Sequence, residues 1–76
     1  MVVSSIVRKH SVKISGHATS VSIETEFWEA FKNIASKKKL SVNDLLSEID
    51  KKRTSNLSSA IRIFILNELI ATTGYF

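Results

Sequence analysis

Thr19-Ser20-Val21-Ser22-Ile23 alternates polar and apolar side chains, runs directly into a helical pattern over residues 24–38, and is followed by Leu40-Ser41-Val42-Asn43 at the head of a second helix. One short strand ahead of two amphipathic helices poses a physical problem. A lone strand leaves its backbone N–H and C=O groups without ladder partners and is not stable in water. A second copy of the same strand, paired antiparallel across a two-fold axis, solves it. A two-stranded ribbon of that kind fits the major groove of DNA. The chain is therefore expected to be a dimer, and nucleic acid is its leading candidate partner.

At 76 residues the chain is one small domain. Domains of this size often need a disulfide, a metal or a partner subunit as a staple. There is no cysteine, and His10 and His17 are the only histidines. No disulfide framework or ligand-spaced metal cluster is expected, and no cofactor is implied. A hydrophobic content of 43% fits a folded chain, and a net charge of +4 favours a polyanionic partner. The opening residues place their charge after their apolar part, which is not the order of a signal peptide, and no apolar run is long enough to span a bilayer. The expected location is cytoplasmic, with no membrane partner.

Residues 1–10 lack periodicity and are expected to form a flexible arm, made basic by Arg8 and Lys9 with Lys13 beyond. Residues 11–70 form the folded domain, and residues 71–76 a tail broken at Gly74. Ser11-Val12-Lys13-Ile14-Ser15 alternates as a second strand would, with Gly16-His17 as a turn. On the main strand, Val21 and Ile23 share one face, while Ala18, Ser20 and Ser22 share the other. His17 has the parity of the buried face and is expected to be structural.

In the first helix, Phe27, Trp28, Phe31, Ile34 and Ala35 trace one stripe. Glu24, Glu26 and Glu29 suit its N-terminal end, and Lys37, Lys38 and Lys39 its C-terminal end. Thr25 is the candidate cap. Ser41, with Asp44 three residues on, caps the second helix, whose buried face is Val42, Leu45, Leu46 and Ile49. Residues 51–55 form a polar connector, and Asn56 or Ser58 caps a third helix. Its stripe is Leu57, Ala60, Ile61, Phe64, Ile65 and Leu69. Ile63, Leu66 and Ile70 widen that stripe, so this helix is expected to be buried on more than one side.

Residues 19–49 resemble the ribbon-helix-helix superfamily of Arc-repressor type. A longer resemblance, over roughly residues 11–69, is to compact ribbon-helix-helix proteins of alphaproteobacteria. It is carried by Gly16-His17-Ala18-Thr19-Ser20-Val21-Ser22, by Phe27-Trp28-Glu29-Ala30 and by Asn56-Leu57-Ser58-Ser59-Ala60-Ile61-Arg62. The resemblance implies a mainly α fold with a short N-terminal β-strand (β-α-α plus a third C-terminal helix). It implies an intertwined homodimer with an intersubunit antiparallel β-ribbon. The implied function is that of a bacterial DNA-binding transcription regulator, a repressor reading double-stranded DNA and assembling to higher order along it. Its base-reading positions fall on Ala18, Ser20 and Ser22. The related proteins tend to carry Arg where this chain has Ala18, so relaxed sequence preference is expected here.

The superfamily's phosphate anchor maps to Ser41, Val42 and Asn43 at a helix N-terminus, with Lys38 and Lys39 just before it. The expected dimer core is Val21, Ile23, Trp28, Phe31, Leu45, Ile49 and Phe64. No catalytic constellation is present, and no enzyme is expected. The rival expectation is a dimerisation or protein-interaction module, antitoxin-like, with weak or no specific DNA binding and a protein as partner. Internal pairing of Val12 and Ile14 with Val21 and Ile23 would favour that rival.

Overall fold

The computed structural model describes residues 6–74. It contains β1 (Val7–Ile14), β2 (His17–Glu24), α1 (Thr25–Lys37), α2 (Val42–Lys52) and α3 (Leu57–Thr73). The two strands form one antiparallel hairpin within the chain, with Ile14 opposite His17 and Val7 opposite Glu24. Its two-residue turn is Ser15 and Gly16, at φ +51° and +84°. Positive φ at both positions is the signature of a type I′ turn, whose twist matches that of paired strands.

This arrangement corrects the premise of the lone strand. Residues 19–23 find their ladder partners in β1 of the same chain, so completing the ladder does not require a second copy. Residues 7–10, expected in the arm, are the first half of β1. Their strand pattern is hidden because Arg8 and His10, which share the parity of buried Val12 and Ile14, are polar. His10 is accommodated there by stacking on Trp28 at 4.2 Å between ring centroids and 13° between planes. The arm's residues 1–5 and the tail's Tyr75 and Phe76 lie outside the described residues. Residues 71–73, expected in the tail, are still helical, and Gly74 ends α3 at φ +66° with its N–H donating to the Ile70 carbonyl.

The hairpin lays Val12, Ile14, Val21 and Ile23 on the helices. Phe31, Ala35, Leu45, Leu46, Ile49, Ile61 and Ile65 complete the buried cluster, and Trp28 and Phe64 pack half-buried against it. Phe31, Ile23, Leu46 and Ile61 are the largest wholly buried side chains, each worth roughly 1.5–3 kcal/mol of apolar burial. The residues expected to form a core between two subunits thus form or flank a core within one.

Each helix starts and stops for a local reason. Glu24 precedes α1 without a side-chain cap. Thr25, the expected cap, instead uses its hydroxyl and its N–H to bond the Ile6 carbonyl. The end of α1 is a Schellman motif: Leu40 N–H donates to Ala35 O and Lys39 N–H to Ser36 O, with Lys39 at φ +59°. Ser41 Oγ accepts from Asp44 N–H at the head of α2, and Asn56 Oδ1 accepts from Ser59 N–H at the head of α3. Among the described residues, no helix is long and apolar enough to cross a membrane.

Candidate nucleic-acid interface

The hairpin has two unlike faces. Register sets Lys9 opposite Ser22, Ser11 opposite Ser20, and Lys13 opposite Ala18. All six are exposed. Side chains on directly opposite positions share a face, so these six make one polar, cationic strip on the side away from the core. The strip unites two groups that the sequence keeps apart: the expected base-reading positions of β2 and the lysines of the expected arm. Ser11 completes it and is not among the expected site residues. A signal for it exists, since two alternating runs separated by a Ser-Gly pair read as a tight hairpin. Arg8 is exposed too, but its parity is that of the inner face.

The strip's acidic neighbour is neutralised. Glu24, at the root of β2, accepts from Arg62 Nε at 3.0 Å and Nη2 at 2.6 Å through one carboxylate oxygen. Those hydrogen bonds hold the Glu24 carboxyl below its ordinary value, helped by a backbone hydrogen bond and the Arg62 charge against the opposing effect of burial. The Arg62 guanidinium also lies 5.7 Å from the centre of the Phe27 ring.

The start of α2 meets the ribbon. Asn43 Oδ1 accepts the Lys13 backbone N–H at 3.0 Å, and Ser47 Oγ accepts the Ser15 N–H at 3.1 Å. These bonds put the first turn of α2 along the outer edge of β1, next to Lys13. Two of the expected phosphate anchors, Ser41 and Asn43, therefore use their side-chain oxygens within the fold. Val42 is half-buried against the core. Lys38 pairs with Glu68 of α3 at 3.2 Å, while Lys39 is exposed. On the opposite edge, Ser58 Oγ donates to the Ser22 carbonyl at 2.7 Å. Both edges of the hairpin are thus partly closed by helices, and its outward face is left open.

His17 is exposed beside the turn. Among the described residues, no group of three His, Cys, Asp or Glu side chains is gathered as a metal site.

Residues 7–69 match the model of a ribbon-helix-helix domain. No curated protein matches the chain. Among solved structures, an uncharacterized protein from Bordetella pertussis Tohama I superposes with a TM-score of 0.72 at 24% identity, over 95% of this chain and 63% of that one. The chain thus spans under two thirds of that protein's length, and the likeness speaks to the fold.

Proposed function

Because the chain belongs to the ribbon-helix-helix family, we propose that it is a DNA-binding transcription regulator, a repressor, that enters the major groove with the outward face of its own hairpin. A two-stranded antiparallel ribbon has the width the major groove admits. The observation that carries this proposal is the strip of Lys9, Ser11 and Lys13 set opposite Ser22, Ser20 and Ala18, exposed and made up of no acidic side chain. Lysine can meet guanine O6 and N7 or a phosphate, and serine can meet any base edge, so affinity comes with modest discrimination. Ala18 offers a methyl contact to thymine and no hydrogen bond. The head of α2 beside Lys13 supplies further backbone donors for a phosphate. A homodimer would carry two such ribbons, each completed within its own chain.

The test is duplex binding over a salt series. Replacing Lys9 and Lys13 together by Gln should weaken binding across sequences and lower the slope of log K against log salt by about 2. Ser20→Ala should change sequence preference more than salt slope. No salt-sensitive binding at low ionic strength would remove the proposal.

The rival is an interaction module with weak or no specific DNA binding. The internal pairing of β1 with β2 favours it, since the strand is satisfied without a second copy. Under that proposal the Lys9 and Lys13 substitutions leave DNA behaviour unchanged and abolish capture of a protein partner.

A further inference from the structure

The turn end of the hairpin overhangs a hollow. Val12 and Ile14 of β1 are buried there, but their partners on β2, Thr19 and His17, are exposed. The end of α2 and the start of α3 lie across from them. The space between, about 350 Å³, is lined by His17, Thr19 and Ser20 from the hairpin and by Asp50, Arg53 and Leu57 from the helices and their connector. Ser20 also belongs to the outward strip, so hollow and strip adjoin along the β2 edge of the ribbon.

We infer that this hollow is a phosphate site, in which Arg53 takes a phosphodiester of the DNA backbone beside the β2 edge while the outward strip faces the bases. The inference rests on the DNA-binding reading and adds to it a contact outside the strip and outside the head of α2.

Three observations select a phosphate. First, Arg53 is held ready. Its Nε donates to Asp50 Oδ1 at 2.7 Å and its Nη1 to the Ser55 carbonyl at 2.9 Å. These bonds fix the planar group and leave the Nη2 hydrogens unbonded among the described residues. A guanidinium already immobilised loses little freedom on meeting an anion. Second, the hairpin side of the hollow supplies donors: the Thr19 and Ser20 hydroxyls and an imidazole N–H of His17. Ser20 adds its backbone. The Ser22 carbonyl accepts from Ser58 Oγ and so points to the outer edge of β2. Alternate residues of an antiparallel strand turn their N–H and C=O the same way, so the Ser20 N–H faces that edge too.

Third, the place suits a duplex. The major groove is about 12 Å wide and about 8.5 Å deep, and paired strands lie about 4.8 Å apart. A ribbon lowered into it has a sugar-phosphate wall along each edge. The wall beside β1 meets the head of α2 next to Lys13, and the wall beside β2 meets this hollow.

Asp50, the acidic residue of the lining, orients Arg53 and offsets part of its charge. An asparagine there keeps an oxygen to accept the Nε–H and removes the opposing charge, so Asp50→Asn has a definite expected sign.

The experiment is binding of the full chain to duplex DNA over a salt series. Arg53→Gln should weaken binding about 10-fold at about 0.1 M salt and lower the slope of log K against log salt by about 1, equally for unrelated sequences. Arg53→Lys keeps the charge without the fork, and should restore the slope but only part of the affinity. Asp50→Asn should tighten binding by at least about 2-fold. Circular dichroism reports whether the end of α2 survives each change.

NMR of the native chain reads the site without any substitution. The Arg53 Nε–H and the Ser20 amide should shift on adding duplex and should not shift on adding inorganic phosphate at equal ionic strength. Duplex binding with a slope unmoved by Arg53→Gln, weaker binding by Asp50→Asn, or resonances indifferent to the duplex would each overturn the inference. Saturable shifts with inorganic phosphate alone would make the hollow a free-anion site and overturn it as well. If only the Arg53 contact is wrong, the Lys9 and Lys13 substitutions still lower the slope by about 2. If no salt-sensitive binding occurs at all, the DNA reading falls and this contact falls with it.

Discussion

Lys39 sits in the left-handed region at φ +59°, at the position of a Schellman motif that glycine usually fills. A side chain there is strained because its Cβ crowds the following carbonyl. Lys39→Gly should stabilise the chain by about 0.5–1 kcal/mol, the relieved strain exceeding the extra entropy glycine gains on unfolding. Urea denaturation checks it. His10 presents a second local tension. Its ring stacks on Trp28, yet its Nε2 is buried and finds no hydrogen-bond partner among the described residues. His10→Phe keeps a ring on Trp28 and removes the stranded polar atom. We expect a gain of about 1 kcal/mol, read from the same unfolding curves and from retained burial of the tryptophan emission. Neither feature is legible in the sequence, because a backbone angle and a ring stack exist only once the chain is folded.

At the scale of the element, the helices are the legible part. Their apolar stripes, the Ser41 cap and the choice of Asn56 or Ser58 for α3 all follow from spacing and side-chain chemistry, and the fold settles that choice on Asn56. The hairpin is half legible. Val12 and Ile14 show the second strand, but polar Arg8 and His10 conceal its first half, and the turn lies one residue earlier than Gly16-His17 suggests. The candidate interface is split in the sequence for the same reason, since Lys9 and Lys13 cannot be set beside Ser20 and Ser22 until β1 is joined to β2.

The clasp between Glu24 and Arg62 ties the root of the hairpin to α3 and is invisible to local patterning, because its partners are 38 residues apart. It makes a pH prediction. The Glu24 carboxyl titrates below its ordinary 4.5 in the folded chain. Its contribution is therefore complete above about pH 4.5 and is lost as the pH falls through the folded value. Thermal melts from neutral pH down to about pH 3 should show a steeper acid loss in the native chain than in Glu24→Gln.

At the scale of the molecule, a single chain already gathers a core. Val21, Ile23, Phe31, Leu45 and Ile49 are buried within one chain, so folding and self-association become separable. An intertwined dimer would unfold and dissociate in one step, and its stability would rise with protein concentration. A chain that folds around its own core should instead show a melt nearly independent of protein concentration. Calorimetry across a dilution series checks it. Phe31→Ala should cost about 3–5 kcal/mol, whereas Leu66→Glu, at a half-exposed position, should leave the melt nearly unchanged.

β2 passes into α1 with no residue between them, Glu24 ending one and Thr25 beginning the other. A joint without slack transmits torque. Any tilt of the ribbon swings α1, and through the Arg62 clasp it also leans on α3. Whatever grips α3 in turn fixes the angle at which the ribbon is offered. Thermodynamic reciprocity then applies: by whatever factor a ligand on the ribbon's outward face would alter the affinity of α3 for a partner of its own, that partner would alter the ribbon's affinity for its ligand by the same factor.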